Sequence, residues 1–255
     1  MKIHQVKTRL SNSYVIEEIH HGEPVLFVVD VAVACHRYVL GFIESDLKYP
    51  INSVKAVAFT HDDPDHFGGV LALSALCGAA VFSPYASRRS MHKFFNDPAG
   101  VLTRIGTSTR ELFRARSRAM YLNRSRDKAA REAPKFIGGS SSGIDNVAEI
   151  RRLKNNDSVP GFAEWTLLHT PGHSWDSCCF YHSSSKSIIT GDTLLGSGPQ
   201  QRVVVPAIYA NRKQMQGTLG RLAALDIEHI YPGHGSVISN SMAIANEARA
   251  FSAGV

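Results

Sequence analysis

Cysteine is scarce in this sequence: four in 255 residues, Cys35, Cys77, Cys178 and Cys179, with no Cys-x-x-Cys spacing. That excludes a disulfide scaffold and a thiolate zinc knuckle, and the four are expected to be reduced core residues. Long apolar runs are missing as well. None approaches the roughly 18 residues of a membrane span, so no membrane association is expected. Met1 to Lys7 carries no apolar signal region, and a cytoplasmic location is expected. The rest of the composition, 44% hydrophobic and 20% charged, is that of a soluble globular chain with enough residues for one large domain or two small ones.

The net charge of +6 is unevenly placed. Residues 104–135 hold ten Lys and Arg against three acids, so the basicity belongs to one segment and the remainder is close to neutral. That segment lies in a stretch, 96–150, that interrupts an otherwise regular alternation. Before it, Ser13–Glu18, Pro24–Val29, Val54–Phe59 and Ala80–Ser83 read as strands, with helical patterns from His36 to Leu47 and after Gly69. After it, Val147–Ile150, Glu164–His169, Ser177–Tyr181, Ser187–Thr190 and Ile227–Tyr231 read as strands. Asn211–Leu225 and Met242–Phe251 read as helices. Within the interruption, Asn96-Asp97-Pro98 signals a turn and a helix is expected from about Thr107 to Ala133, closed by Pro134. The chain therefore reads as a single domain over 1–255, with 96–150 as a helical insertion or lid.

The chemistry sits at strand ends. Thr60-His61-Asp62-Asp63-Pro64-Asp65-His66 packs four metal-competent side chains, His61, Asp63, Asp65 and His66, into six residues after an apolar strand. Two aspartates and two histidines in one loop would repel or go unpaired without a cation. Three more signals follow strands: His169-Thr170-Pro171-Gly172-His173, Thr190-Gly191-Asp192-Thr193 and Tyr231-Pro232-Gly233-His234-Gly235. In each, a Pro or Gly turn aims a ligand-type side chain out of the strand end. His169 itself precedes its turn and reads as a structural or supporting residue. Asp30 ends a strand and reads equally as loop support or as a plain turn, and Asp62 is expected to face solvent.

These four motifs, in this order, resemble the metallo-β-lactamase superfamily of metallohydrolases over nearly the whole chain. The resemblance implies an α/β (α+β) fold, a four-layer αββα sandwich, here with the basic helical insertion. It also implies two divalent metal ions. His61, Asp63 and His173 would hold the first, Asp65, His66 and His234 the second, and Asp192 would bridge them. Two ions about 3.5–4 Å apart share a water that becomes hydroxide near neutral pH. Asp65 and Asp192 are the expected catalytic carboxylates, Asp65 by orienting that water or accepting its proton.

One position departs from the family: most members carry His where this chain has Asp63. An acid there resembles the flavodiiron proteins and a competence-associated DNA nuclease domain. Zinc is the first expectation for the metal, and Asp63 makes iron or manganese the alternative. The expected activity is hydrolysis of an ester, lactone, thioester or phosphodiester. The alternatives are a flavodiiron-like iron redox protein and a non-catalytic metal-binding scaffold. The expected partner is a small-molecule substrate, and a homodimer is compatible with the family.

The basic insertion reads in three ways: as a solvated cover, as an oligomer contact, or as an attractor of an anionic substrate such as a nucleotide or nucleic acid at Arg114, Arg116 and Arg118. The third reading is tested by neutralising those three arginines together. It expects slower turnover of anionic substrates and a flatter salt dependence, and unchanged kinetics would eliminate it.

Overall fold

The computed structural model of the chain describes residues 1–8, 11–86, 98–112 and 150–254. Arg114, Arg116 and Arg118, and most of the expected 96–150 insertion, lie outside these residues. The chain divides into two compact units. Among the described residues, one is built on Met1–Phe59 and Asp63–Ser83 and the other on Thr60–Asp62 and Leu153–Val255.

The first unit is built on a six-stranded sheet in the order β1-β2-β3-β4-β5-β6. Its strands are β1 (Lys2–Lys7), β2 (Asn12–His20), β3 (Glu23–Val29), β4 (Val54–Ala58), β5 (Ala80–Pro84) and β6 (Arg151–Leu153). β2 and β3 form a hairpin whose two-residue turn, His21-Gly22, has positive φ at both positions, the geometry that matches strand twist. β3, β4 and β5 run parallel, so each connection must cross over the sheet. The first crossover carries helix α1 (His36–Gly41), which continues as a π-helical turn over Phe42–Asp46. The second carries α2 (Val70–Cys77), closed by left-handed Gly78. Val28, Val39, Ile43, Val57, Val70, Leu73 and Val81 share one core.

The second unit holds the other six-stranded sheet, order β14-β13-β10-β9-β8-β7. Strands β7 (Ser158–Val159), β8 (Phe162–His169), β9 (Cys178–His182) and β10 (Ser187–Gly191) form an antiparallel meander. A hairpin of β11 (Leu195–Ser197) and β12 (Arg202–Val204) follows. Helix α3 (Pro98–Leu112) precedes this sheet in the chain, and α4 (Arg212–Ala223) crosses from β12 to β13 (His229–Pro232), which pairs parallel to β10. Strand β14 (Ile238–Ser239) and helix α5 (Ala243–Ala253) complete the chain. The expected α4 stripe is the buried one, Met215, Leu219 and Leu222, packed with Ile188, Ile230 and Phe251. Asn211 caps α4 by accepting a hydrogen bond from the Gln214 amide at 3.0 Å.

Two expectations shift. Pro98 opens helix α3 instead of standing in a turn before it, because a proline's fixed φ suits a first helical residue. β11 and β12 lie where no strand was expected. Residues 147–149 of the strand expected at Val147–Ile150 lie outside the described residues. All four cysteines are free, and Cys35, Cys178 and Cys179 are buried. Among the described residues no helix is long and apolar enough to cross a membrane.

A polar cluster around buried Glu17 ties β1 to β2. Glu17 accepts from Tyr49 Oη at 2.9 Å and lies 2.8 Å from His4 Nε2, with Lys2 at 3.8 Å. Burial pushes the Glu17 carboxyl up, but the His4 and Tyr49 hydrogen bonds and the Lys2 charge outweigh it and leave it below the ordinary glutamate range. A carboxyl depressed in the folded state contributes stability above its unfolded pKa and loses it as pH falls through the folded one. Urea unfolding across the acid range should therefore show Glu17→Gln less stable than wild type at neutral pH, with the gap closing as pH drops below the usual carboxylate range. A gap of constant size would remove Glu17 from the acid response.

Candidate metal centre

In the second unit, the loop between β8 and β9 and the C-terminal ends of β10 and β13 come together around Asp192. Parallel pairing of β10 and β13 is what places Asp192 and His234 side by side, because Asp192 directly follows β10 and His234 stands one glycine beyond β13. The Gly233 amide donates to the Gly191 carbonyl at 2.8 Å and fixes that register. His61, His173 and Asp192, all buried, each offer a ligand atom within 4.8 Å of the others. His234 Nε2 stands 3.3 Å from Asp192 Oδ1, and His173 Nε2 stands 3.8 Å from Oδ2. The two oxygens of one carboxylate thus face two different imidazoles.

The ring orientations are set from behind. His173 Nδ1 lies 2.8 Å from the Ile208 carbonyl, which can only accept, so that nitrogen carries the proton. In a neutral ring Nε2 then points a lone pair at a carboxylate oxygen. Two lone pairs facing each other in a buried site require a proton or a cation between them. His61 Nδ1 lies 3.1 Å from Thr60 Oγ1, a hydroxyl that can donate to the ring or accept from it. The ring centroids of His61 and His173 are 5.0 Å apart, edge to face.

The first unit repeats this construction. His66 and Asp30 are fully buried, with His66 Nδ1 2.8 Å from Asp30 Oδ2 and His66 Nε2 3.6 Å from Asp65 Oδ2. Asp30 reaches the ring from a left-handed backbone, φ 59°, which settles its role as loop support. The His66 carbonyl accepts from the Val31 amide at 2.7 Å, the Asp65 carbonyl accepts from Ser11 Oγ, and the Asp63 carbonyl accepts the amides of His66 and Phe67. A tight turn closed at Asp63 thus points Asp65 and His66. Imidazoles whose far nitrogens meet a carbonyl, a hydroxyl or a carboxylate, grouped with aspartates, are the donor arrangement that divalent transition metals take. The His61, His173 and Asp192 trio does not include Asp63.

His169 ends β8 and its Nε2 meets the Trp175 carbonyl at 2.8 Å, so it braces the His173 loop, as read from the sequence. Asp62 differs from expectation: it is half-buried, and its amide donates to Asp176. Tyr209 packs its ring on Phe251, 6.3 Å away, while its neighbour Ile208 supplies the carbonyl that orients His173. A main-chain carbonyl has no sequence signature, so Ile208 was illegible beforehand. Thr60 was legible only as the residue before the motif.

The sequence profile of the metallo-beta-lactamase superfamily matches residues 6–234, and the chain belongs to that superfamily. A lactamase-like protein of Penicillium aethiopicum is 41% identical over 73 residues, 29% of this chain and 22% of that protein. An atrochrysone carboxyl ACP thioesterase of Aspergillus fumigatus is 39% identical over 83 residues, 32% of this chain and 24% of that protein. The matched segments thus span about a quarter of these relatives' length. The fold is also that of a protein crystallised in a di-iron-bound form, with TM-score 0.55 and 21% identity over 98% of both chains. The mixed α/β class expected from the motifs is the one found.

Gly191 makes the His61 side of the centre feasible. Its φ is +48°, and a Cβ there would lie 2.2 Å from Thr60 Oγ1. Gly191→Ala combines left-handed strain with a clash against the buried Thr60 side chain and should cost about 2–5 kcal/mol. Thermal unfolding of the variant checks this; a midpoint equal to wild type would show that the two segments do not touch.

Proposed function

We propose that this chain is a dinuclear metal-dependent hydrolase acting on an activated acyl bond, with thioesters the first class to test. The observation that carries the proposal is Asp192, a buried carboxylate whose two oxygens face two different metal-competent imidazoles. Family membership supports the hydrolase class, and the thioesterase named among the relatives supports the choice of bond.

The proposed ligand assignment follows the order of the motifs. His61, Asp63 and His173 would hold one ion and Asp65, His66 and His234 the other, with Asp192 available to both. When bound, the metals supply Lewis acidity and lower the pKa of water toward neutrality. The residues do the rest. Ile208, Thr60 and Asp30 keep the imidazoles oriented with Nε2 presented. Asp65, which is partly exposed beside buried His66, is placed to orient a water and accept its proton. Burial of Asp192 strengthens its electrostatic hold on whatever it faces.

Zinc remains the first expectation for the metal. Asp63 would add a third carboxylate to the first coordination sphere and shift preference toward iron or manganese, and a protein of this fold is known in a di-iron form.

Elemental analysis of wild type and Asp63→His, beside hydrolysis of an acyl-thioester, tests the proposal. It expects two metals per chain, a rise in zinc content on Asp63→His, and loss of about 10³-fold or more in kcat/KM for Asp192→Asn, the scale of losing a principal electrostatic element. Thioester turnover that survives both chelation and Asp192→Asn would overturn the hydrolase reading. Metal content unaltered by Asp63→His would remove Asp63 from the ligand set.

A further inference from the structure

Asp176 is a fully buried carboxylate that the metal chemistry does not use. It lies three residues beyond His173, in the loop that joins β8 to β9. Its two oxygens have separate tasks. Oδ2 accepts the amide of Asp62 at 2.9 Å, and Oδ1 accepts the hydroxyl of Ser174 at 2.7 Å. Asp62 directly follows His61 and Ser174 directly follows His173. One carboxylate therefore holds the residue next to each of the two imidazoles in the trio.

The arrangement around His61 is two-sided. Ahead of it, the Thr60 carbonyl accepts the Cys178 amide at 2.9 Å, and behind it the Asp62 amide is held by Asp176. Both partners come from the end of the same loop. That loop is itself kept rigid by the Ser174 Oγ to Ser177 Oγ contact at 2.7 Å and by His169 on the Trp175 carbonyl. A hydrogen bond to an ionised carboxylate is shorter and about twice as strong as a neutral one, and burial strengthens it further. With its backbone pinned on either side, His61 has little freedom to move relative to His173.

We propose that Asp176 is a positioning residue that clamps the His61 and His173 loops together and so sets the affinity of the site for its metal. The proposal rests on the reading that His61 and His173 hold a metal. Asp176 touches no reacting atom in this account. Its effect runs through the spacing of two imidazoles, and a group that orients metal ligands in this way is worth about 10–100-fold in metal affinity.

The test uses the full chain freed of metal, titrated with zinc against a competing chromophoric chelator. Amide hydrogen exchange and the metal-free thermal midpoint are followed in parallel. Asp176→Ala should raise the zinc dissociation constant about 10–100-fold. It should also strip exchange protection from the Asp62 amide and lower the metal-free midpoint, because the Asp62 amide and the Ser174 hydroxyl lose a buried acceptor, whereas Asp176→Asn should keep the midpoint close to wild type. Asp176→Asn should restore most of the affinity, because its amide oxygen can still accept from Asp62 while its nitrogen donates to Ser174 Oγ. Wild-type zinc affinity in Asp176→Ala would overturn the clamp. Should that variant not fold, Asp176→Asn combined with Ser174→Ala takes its place. A further loss of affinity relative to Asp176→Asn alone then supports the clamp, and an unchanged value overturns it. His173→Ala separates the two levels: if it keeps wild-type zinc affinity, the metal assignment beneath the proposal has failed, whatever Asp176 does.

Discussion

The close approach of Thr60 to the end of β10 is the constraint on which the second unit's cluster depends. His61 reaches Asp192 only because Gly191 carries a hydrogen where any other residue would put a carbon against Thr60, and because a left-handed backbone at that position is cheap for glycine alone. The Cys178 amide closes the same approach from another side by donating to the Thr60 carbonyl. The parallel register of β10 and β13 then adds His234 to Asp192. Each ligand-type side chain sits one step beyond a strand or in a tight loop, where the sheet holds the backbone and leaves the side chain free to point outward.

Charge is managed by the same device in both units. An imidazole offers two nitrogens, and here the far one is consumed by a group that can hold it still: a carbonyl for His173, a hydroxyl for His61, a carboxylate for His66. For His173 and His66 the partner is an acceptor, so in a neutral ring the lone pair is directed through Nε2. Aspartate oxygens stand within 3.8 Å of Nε2 of His66, His173 and His234, so a divalent cation there would be attracted by both groups.

Much of this was legible in the residues themselves. Pro and Gly turns after apolar runs mark strand ends, and His and Asp placed at them have few packing roles, so His61, His66, His173, Asp192 and His234 could be named before any geometry. The α4 stripe of Met215, Leu219 and Leu222 followed from helical periodicity. The β11–β12 hairpin was not legible, because two three-residue strands are too short to show alternation. Pro98 was misread as a turn because proline marks helix starts and loop corners alike.

What the sequence determined by itself is the list of chemically competent groups and the order in which strands deliver them, since residue type and local periodicity are properties of neighbours along the chain. What only the tertiary structure decided is which atom of each group faces which other. The proton on His173 Nδ1 is fixed by a carbonyl 35 residues away, and the amide beside His61 is held by a carboxylate 114 residues away. Hydrogen bonds are short and directional, so their partners are chosen by packing in space, and no local pattern of residues encodes that choice.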